Sequence, residues 1–258
     1  MTAEKAPQLE IPPGEAIKAV KLINPVNFGP AILERFMAPA VPGLETFKSS
    51  PSLSFLIEHQ SGRKLVFDLG IRKDYNNYSP SIVKYLPTTK YTIEVAGNVA
   101  DILQENGVPL NEVEAVIWSH WHWDHIGDPS SFPHLTDLVV GPGFKDAMLP
   151  GAPANPESPI QESDYANRNL REISFQGPES LKIELASKTT KQLQELDCNE
   201  NIFVVVAHDS TVRDGVPHFP KSLNDWKERG FGKGLKWAFL RDLEKFWESE
   251  GLLESRKD

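Results

Sequence analysis

A chain of 258 residues and 28.9 kDa can bury one full core, and its content of 40% hydrophobic and 24% charged residues is that of an ordinary globular protein. No apolar run approaches the ~20 residues that a membrane helix needs. The excess of 36 Asp+Glu over 27 Lys+Arg gives a formal charge of −9, the wrong sign for gripping phosphate backbones, so neither membrane nor nucleic acid is an expected partner. The one cysteine, Cys198, rules out a disulfide framework and a thiolate zinc finger, which leaves nitrogen and oxygen to hold any metal.

Residues 1–15 mix charges with Pro7, Pro12 and Pro13 and lack the apolar stretch of a signal peptide. They read as a flexible lead into a cytoplasmic chain whose single domain fills 16–258. Leu53 to Glu58 and Lys64 to Phe67 are short apolar runs joined by a polar, glycine-containing turn, a predicted hairpin. From Thr92 to Asn106 the apolar positions keep helical spacing and Gly107 closes the segment, which predicts a helix. Glu114 to Trp118, Asp137 to Val140 and Leu170 to Phe175 are predicted strands. Between the last two, Pro150, Pro153, Pro156 and Pro159 recur every third residue, as in an extended surface loop. Ser180 to Leu196 is predicted helical, Ile202 to Ala207 a strand, and Leu235 to Phe246 an amphipathic helix. The alternation predicts an α/β fold.

The chemistry concentrates in Ser119-His120-Trp121-His122-Trp123-Asp124-His125-Ile126-Gly127, directly after an apolar strand. Extended backbone projects His120 and His122 to one side, where two imidazoles converge on one ion. Asp124 and His125 then turn the corner and either hold a second ion or complete the first. Imidazole with carboxylate suits zinc best, with iron or manganese as substitutes. Trp121 and Trp123 are expected to pack beneath this loop, and Asp128-Pro129 to cap a new helix. No other chemistry has comparable support: Gly141-Pro142-Gly143 makes no phosphate cradle, Ser119 sits in no nucleophile elbow, and Cys198 lies in polar surroundings.

SHWHWDHIG resembles the HxHxDH motif of the metallo-β-lactamase superfamily, a resemblance that implies an αββα sandwich and metal-dependent hydrolysis of an acyl bond. Leu65 to Gly70 is similar to the early strand that carries the family's buried aspartate, so Asp68 is expected behind the ligands, orienting one of them. Val204 to His208 is similar to the family's last strand, which makes His208 the final ligand. The expected metal set is therefore His120, His122, Asp124, His125 and His208, with Asp124 also placed to accept a proton as the catalytic carboxylate. By the resemblance, a zinc-bound hydroxide would open a lactone, a lactam or a related small acyl substrate. An acyl-thioester is the alternative substrate.

This chain departs from the family pattern in one block. The additional histidine in a glycine-flanked turn and the bridging aspartate, both expected between His125 and His208, are missing. His134 lies too close to the motif and reads as a loop residue, Asp209 follows His208 where the bridging aspartate should precede it, and His218 reads as structural or solvated. One tight zinc is thus expected, against two in a complete member. The sandwich should lack a block of sheet at a seam near Gln176-Gly177-Pro178, with exposed sheet edges, as in a catalytically impaired metal-binding product of a shortened reading frame.

Overall fold

The computed structural model describes residues 16–36, 39–47, 49–174 and 191–241, with positions 244, 247–248 and 250–251 beyond them. Strand β1 (Ile17–Ile23) opens the chain, followed by β2 (Val26–Gly29), β3 (Ala31–Ile32), β4 (Thr46–Phe47) and β5 (Ser50–Pro51). The predicted hairpin is present as β6 (Ser54–His59) and β7 (Lys64–Phe67), antiparallel with Leu56 opposite Val66. Both side chains are fully buried, so the period-two pattern fixes this register.

Beyond β8 (Thr92–Val95) come β9 (Val113–Ile117), β10 (Asp137–Val140) and β11 (Leu170–Glu172), the last three close to their predicted positions. Six strands form one sheet in the order β1-β6-β7-β9-β10-β11. The first three are antiparallel, and β7, β9, β10 and β11 run parallel. A second sheet of three strands, β5-β2-β8, lies in the same core through Val26 and Phe28, joined by Ile82 and Leu86 of helix α1 (Pro80–Thr89) and Leu103 of helix α2 (Val99–Glu105). The arrangement is α/β, as predicted. Parallel strands deliver their carboxyl ends, and the loops after them, to one side of the sheet, where open α/β sheets build their sites.

Three expectations are corrected. The helix predicted from Thr92 begins only at Val99; Thr92–Val95 is β8, with Ile93 paired to Phe28 of β2, because a sheet partner outweighs helical spacing in a short β-branched run. Ile202 to Ala207 forms no strand. Its apolar Phe203 and Val205 pack against Leu22, Leu53 and Val212, but among the described residues its backbone joins no ladder, and it meets the hairpin side through the Leu53 N–H, which donates to the Ala207 carbonyl at 3.0 Å. The C-terminal helix does not run on from Leu235: a helix at Phe231–Leu235 and a 3₁₀ turn at Ala238–Leu240 flank Trp237, whose φ of 59° is left-handed, while positions 241 and 244 of the predicted span are helical. Residues 191–197 are helical as predicted, while 180–190, the seam at 176–178 and the segment 1–15 lie outside the described residues.

The proline-spaced segment is a surface loop, but a closed one. Pro153 to Glu157 are exposed, and an Ala152–Gln161 bridge ties the ends. Its stem reaches a buried ionic cluster. Arg72, 4% exposed, pairs with Asp128 at 2.7 Å and faces Asp164 at 3.8 Å, while Asp164 accepts the Gln161 N–H at 2.9 Å. Burial pushes the Asp164 carboxyl up to about 6, although Arg72 and the Gln161 amide pull the other way.

Between the ordinary carboxylate range and pH ~6, folded Asp164 keeps a proton that the unfolded chain has released. Its contribution to stability is therefore full below about pH 4 and is lost as pH rises through about 6. Urea unfolding at pH ~4 and pH ~6.5 is expected to show wild type losing stability relative to Asp164→Asn over that window; parallel behaviour of the two proteins contradicts this.

Candidate metal centre

The site sits where β7 and β9 end. Phe67 pairs with Ile117, and the Asp68 N–H continues the ladder to the Ile117 carbonyl at 2.9 Å, so Asp68 and Ser119 leave the sheet side by side. Asp68 is 2% exposed and takes a left-handed φ of 57°, a conformation that aspartate tolerates better than most residues. Its carboxylate accepts the Ser119 N–H and Oγ–H, each at 2.7 Å, and lies 2.8 Å from His125 Nδ1. Ser119 Oγ is in turn 3.0 Å from His120 Nδ1. One buried carboxylate therefore contacts His125 directly and His120 through Ser119.

The motif does not continue as a long helix. Trp123–Ile126 is a four-residue turn, α3, ended by Gly127 at φ 47°, where a Cβ would come within 2.4 Å of Leu69 Cβ. The expected cap at Asp128-Pro129 is present on a 3₁₀ turn, Pro129–Ser131, whose Ser130 N–H is accepted by Asp128. So short a helix cannot satisfy its own carbonyls. Tyr78 Oη donates to Trp123 O at 2.6 Å, Ser52 Oγ to Asp124 O, Leu69 N–H to His125 O at 2.8 Å, and Trp118 Nε1 to Ile126 O at 3.1 Å.

The segment after β5 joins this turn to the distant histidine. Beside Ser52, the Pro51 carbonyl accepts from His208 Nδ1 at 2.8 Å. His208 Nε2 thereby stands 3.4 Å from Asp124 Oδ2, and His125 Nε2 stands 3.7 Å from the same oxygen. Asp124, His125 and His208 offer ligand atoms all within 4.8 Å of one another, with His208 brought there by a turn rather than by a strand. The His120 ring lies 4.4 Å from that of His122 and 4.2 Å from that of His125. Burial, with His125 and His122 nearby, pushes His120 down to about 4, so its imidazole is neutral, the form that binds metal. Burial also works against a charge on His125, but the Asp68 hydrogen bond and the charges of Asp124 and Asp68 outweigh it and raise its pKa.

Both Nδ1 atoms of the triad are engaged and both Nε2 atoms face one carboxylate, the donor set and orientation that a zinc ion takes. The residues fit the metal. Trp123 packs as expected, against Phe28 and Tyr91, but Trp121 is 40% exposed and lies edge-on to the His122 ring instead of beneath the loop. His134 is an exposed loop residue, Asp209 caps the helix Ser210–Gly215, and His218 contacts the Arg213 carbonyl at 2.7 Å. Arg72, Ser52 and Tyr78 have no local sequence signal: each acts across tens of residues on a carbonyl or a carboxylate.

The sequence matches the Metallo-beta-lactamase superfamily over residues 49–181, more than half of the chain. The chain belongs to that superfamily. The gamma-lactamase of Fusarium pseudograminearum is 40% identical over 183 residues, covering 69% of this chain and 44% of that protein. The monooxygenase mpaDE of Penicillium roqueforti is 30% identical over 333 residues, covering 92% of this chain and 39% of that protein. This chain thus spans about two fifths of the length of these curated relatives. An alignment longer than the chain itself also passes positions of the relative that have no counterpart here. Among solved structures, a B. thuringiensis AiiA mutant with N-decanoyl-L-homoserine bound at its active site has a TM-score of 0.58 at 15% identity, covering 81% of this chain and 100% of that one. That likeness is one of fold.

Asp68→Ala leaves His125 Nδ1 and the Ser119 amide without their acceptor. Zinc affinity, read by competition with a chromophoric chelator, is expected to fall ~10–100-fold; an unchanged affinity contradicts the role of Asp68.

Proposed function

We propose that this chain is a metal-dependent hydrolase that opens a lactam or lactone ring in a small acyl substrate, with zinc held by Asp124, His125 and His208. The carrying observation is the convergence of one carboxylate oxygen and two oriented Nε2 atoms from segments over 80 residues apart in sequence. His120 and His122 complete the expected set from the rim. The lactam preference is supported by the similarity to a gamma-lactamase, and small size by a surface charge that repels polyanions.

When bound, zinc supplies Lewis acidity that polarises a carbonyl and makes water easier to deprotonate. The chain's own groups do the rest. Asp68, Ser119 and the Pro51 carbonyl fix the rings of His120, His125 and His208, so no reorganisation is needed as charge develops. Asp124 accepts a proton at a carboxylate oxygen, less strongly when that carboxylate is also a ligand. Trp121 offers an exposed apolar face at the rim of the site.

A second reading is favoured by a specific observation. Among the described residues, His120 and His122 have no further histidine or carboxylate completing a group with them, and the alignment to the longer relative skips positions that this chain lacks. On that reading the chain is a shortened form that binds metal with impaired turnover. Elemental analysis after dialysis is expected to find one tight zinc, lost in His208→Ala. Hydrolysis of a panel of γ-lactams and lactones, reduced ~100-fold or more in Asp124→Ala, supports the enzyme; zinc without turnover supports the shortened form, and no zinc refutes both.

A further inference from the structure

We propose that Tyr78, locked by Arg72, is a positioning residue of the metal centre: its hydroxyl sets the peptide that carries Asp124 and His125. The inference rests on the metal reading above. Tyr78 is 5% exposed, and its phenol oxygen has two partners. It accepts the Arg72 backbone N–H at 2.9 Å and donates to the Trp123 carbonyl at 2.6 Å. The second bond falls on the first residue of a four-residue turn whose next two residues are the candidate ligands. Only the planar peptide bond and the Asp124 φ separate that carbonyl from the Asp124 side chain, so a rotation of the 123–124 peptide redirects the carboxylate.

Arg72 makes this contact rigid. Its guanidinium lies 5.2 Å from the centre of the Tyr78 ring, pairs with Asp128 at 2.7 Å, and donates to the Asn77 carbonyl at 3.1 Å and to Gln161 Oε1 at 3.0 Å. The two residues thus grip the loop at both ends, Trp123 through the phenol and Asp128 through the guanidinium. Burial raises the phenol pKa far above the usual tyrosine range, so the group remains a donor at any working pH. Asp124 O and His125 O have their own donors in Ser52 and Leu69, so among the described residues the first carbonyl of the turn relies on the Tyr78 hydroxyl. No local pattern in the sequence marks this role, since 45 residues separate Tyr78 from Trp123.

The test compares Tyr78→Phe with Thr136→Val. Thr136 is buried and gives its hydroxyl to the Val113 carbonyl at 2.9 Å, outside the site, so the control loses one buried hydrogen bond of the same kind. Tyr78→Phe is expected to weaken the zinc Kd ~10-fold or more, to alter the visible bands of the cobalt-substituted protein, and to speed hydrogen exchange in residues 119–128. Thr136→Val should do none of these while costing similar thermal stability. Equal effects from both variants, or a Tyr78→Phe affinity within about twofold of wild type, overturn the proposal. If wild type takes up no zinc, the metal reading fails by itself, and hydrogen exchange then decides: faster exchange of 119–128 confined to Tyr78→Phe upholds the positioning role, and its absence overturns it. Should Tyr78→Phe not fold, Asp128→Asn loosens the same clasp from the Arg72 side, and an unchanged exchange pattern there overturns it equally.

Discussion

Four consecutive backbone carbonyls, those of Trp123, Asp124, His125 and Ile126, must find donors in a place where water is scarce and a helix is too short to supply them. The donors come from four separate places: the Tyr78 phenol, the Ser52 hydroxyl, the Leu69 amide and the Trp118 indole. Leu69 and Trp118 are in reach because β7 and β9 run parallel in register, and Ser52 because β5 pairs with β2. Removing any one of these donors would leave a carbonyl of the turn unpaired, at a cost of ~1–3 kcal/mol each. Much of the topology can be understood as the means of holding this one turn still.

The charges around the turn follow from the same crowding. Asp68 and Asp124 place two carboxylates among four imidazoles, and His120 is held neutral while His125 is pulled towards its charged form. A divalent cation would meet both demands, displacing the proton from His125 and compensating the carboxylates. On the far side of the loop Arg72 balances Asp128 and shares Asp164, so the negative groups that fasten the loop do not compete with those facing the site.

The second sheet has three strands among the described residues, β5, β2 and β8. At β1 the edge of the six-stranded sheet is covered: Phe219 and Leu223 donate to the Leu22 and Val20 carbonyls at 2.7 and 2.8 Å, and the Asn224 side chain accepts the Val20 N–H at 3.1 Å. A non-strand segment thus protects β1 from pairing with another chain. Val212, Val216 and Leu223 pack beneath it on Leu22 and Leu53, forming a second small core.

By itself the sequence determined what is local. The spacing of His120, His122, Asp124 and His125 marks a cluster of candidate ligands after a strand, the alternation in Leu53 to Phe67 sets a hairpin, and Leu65 to Gly70 marks Asp68 by its resemblance to a known strand. These are legible because each depends on neighbours within a few residues. Tertiary structure decided the rest. Thr92–Val95 became a strand because β2 was there to pair with it, whereas Ile202 to Ala207 joins no ladder among the described residues. His208 reached Asp124 through a proline carbonyl 157 residues away, and Tyr78, Arg72 and Ser52 acquired their roles only when the sheets closed. A hydrogen bond between distant groups leaves no periodicity in the chain, so its donors read as ordinary residues until the fold brings them together.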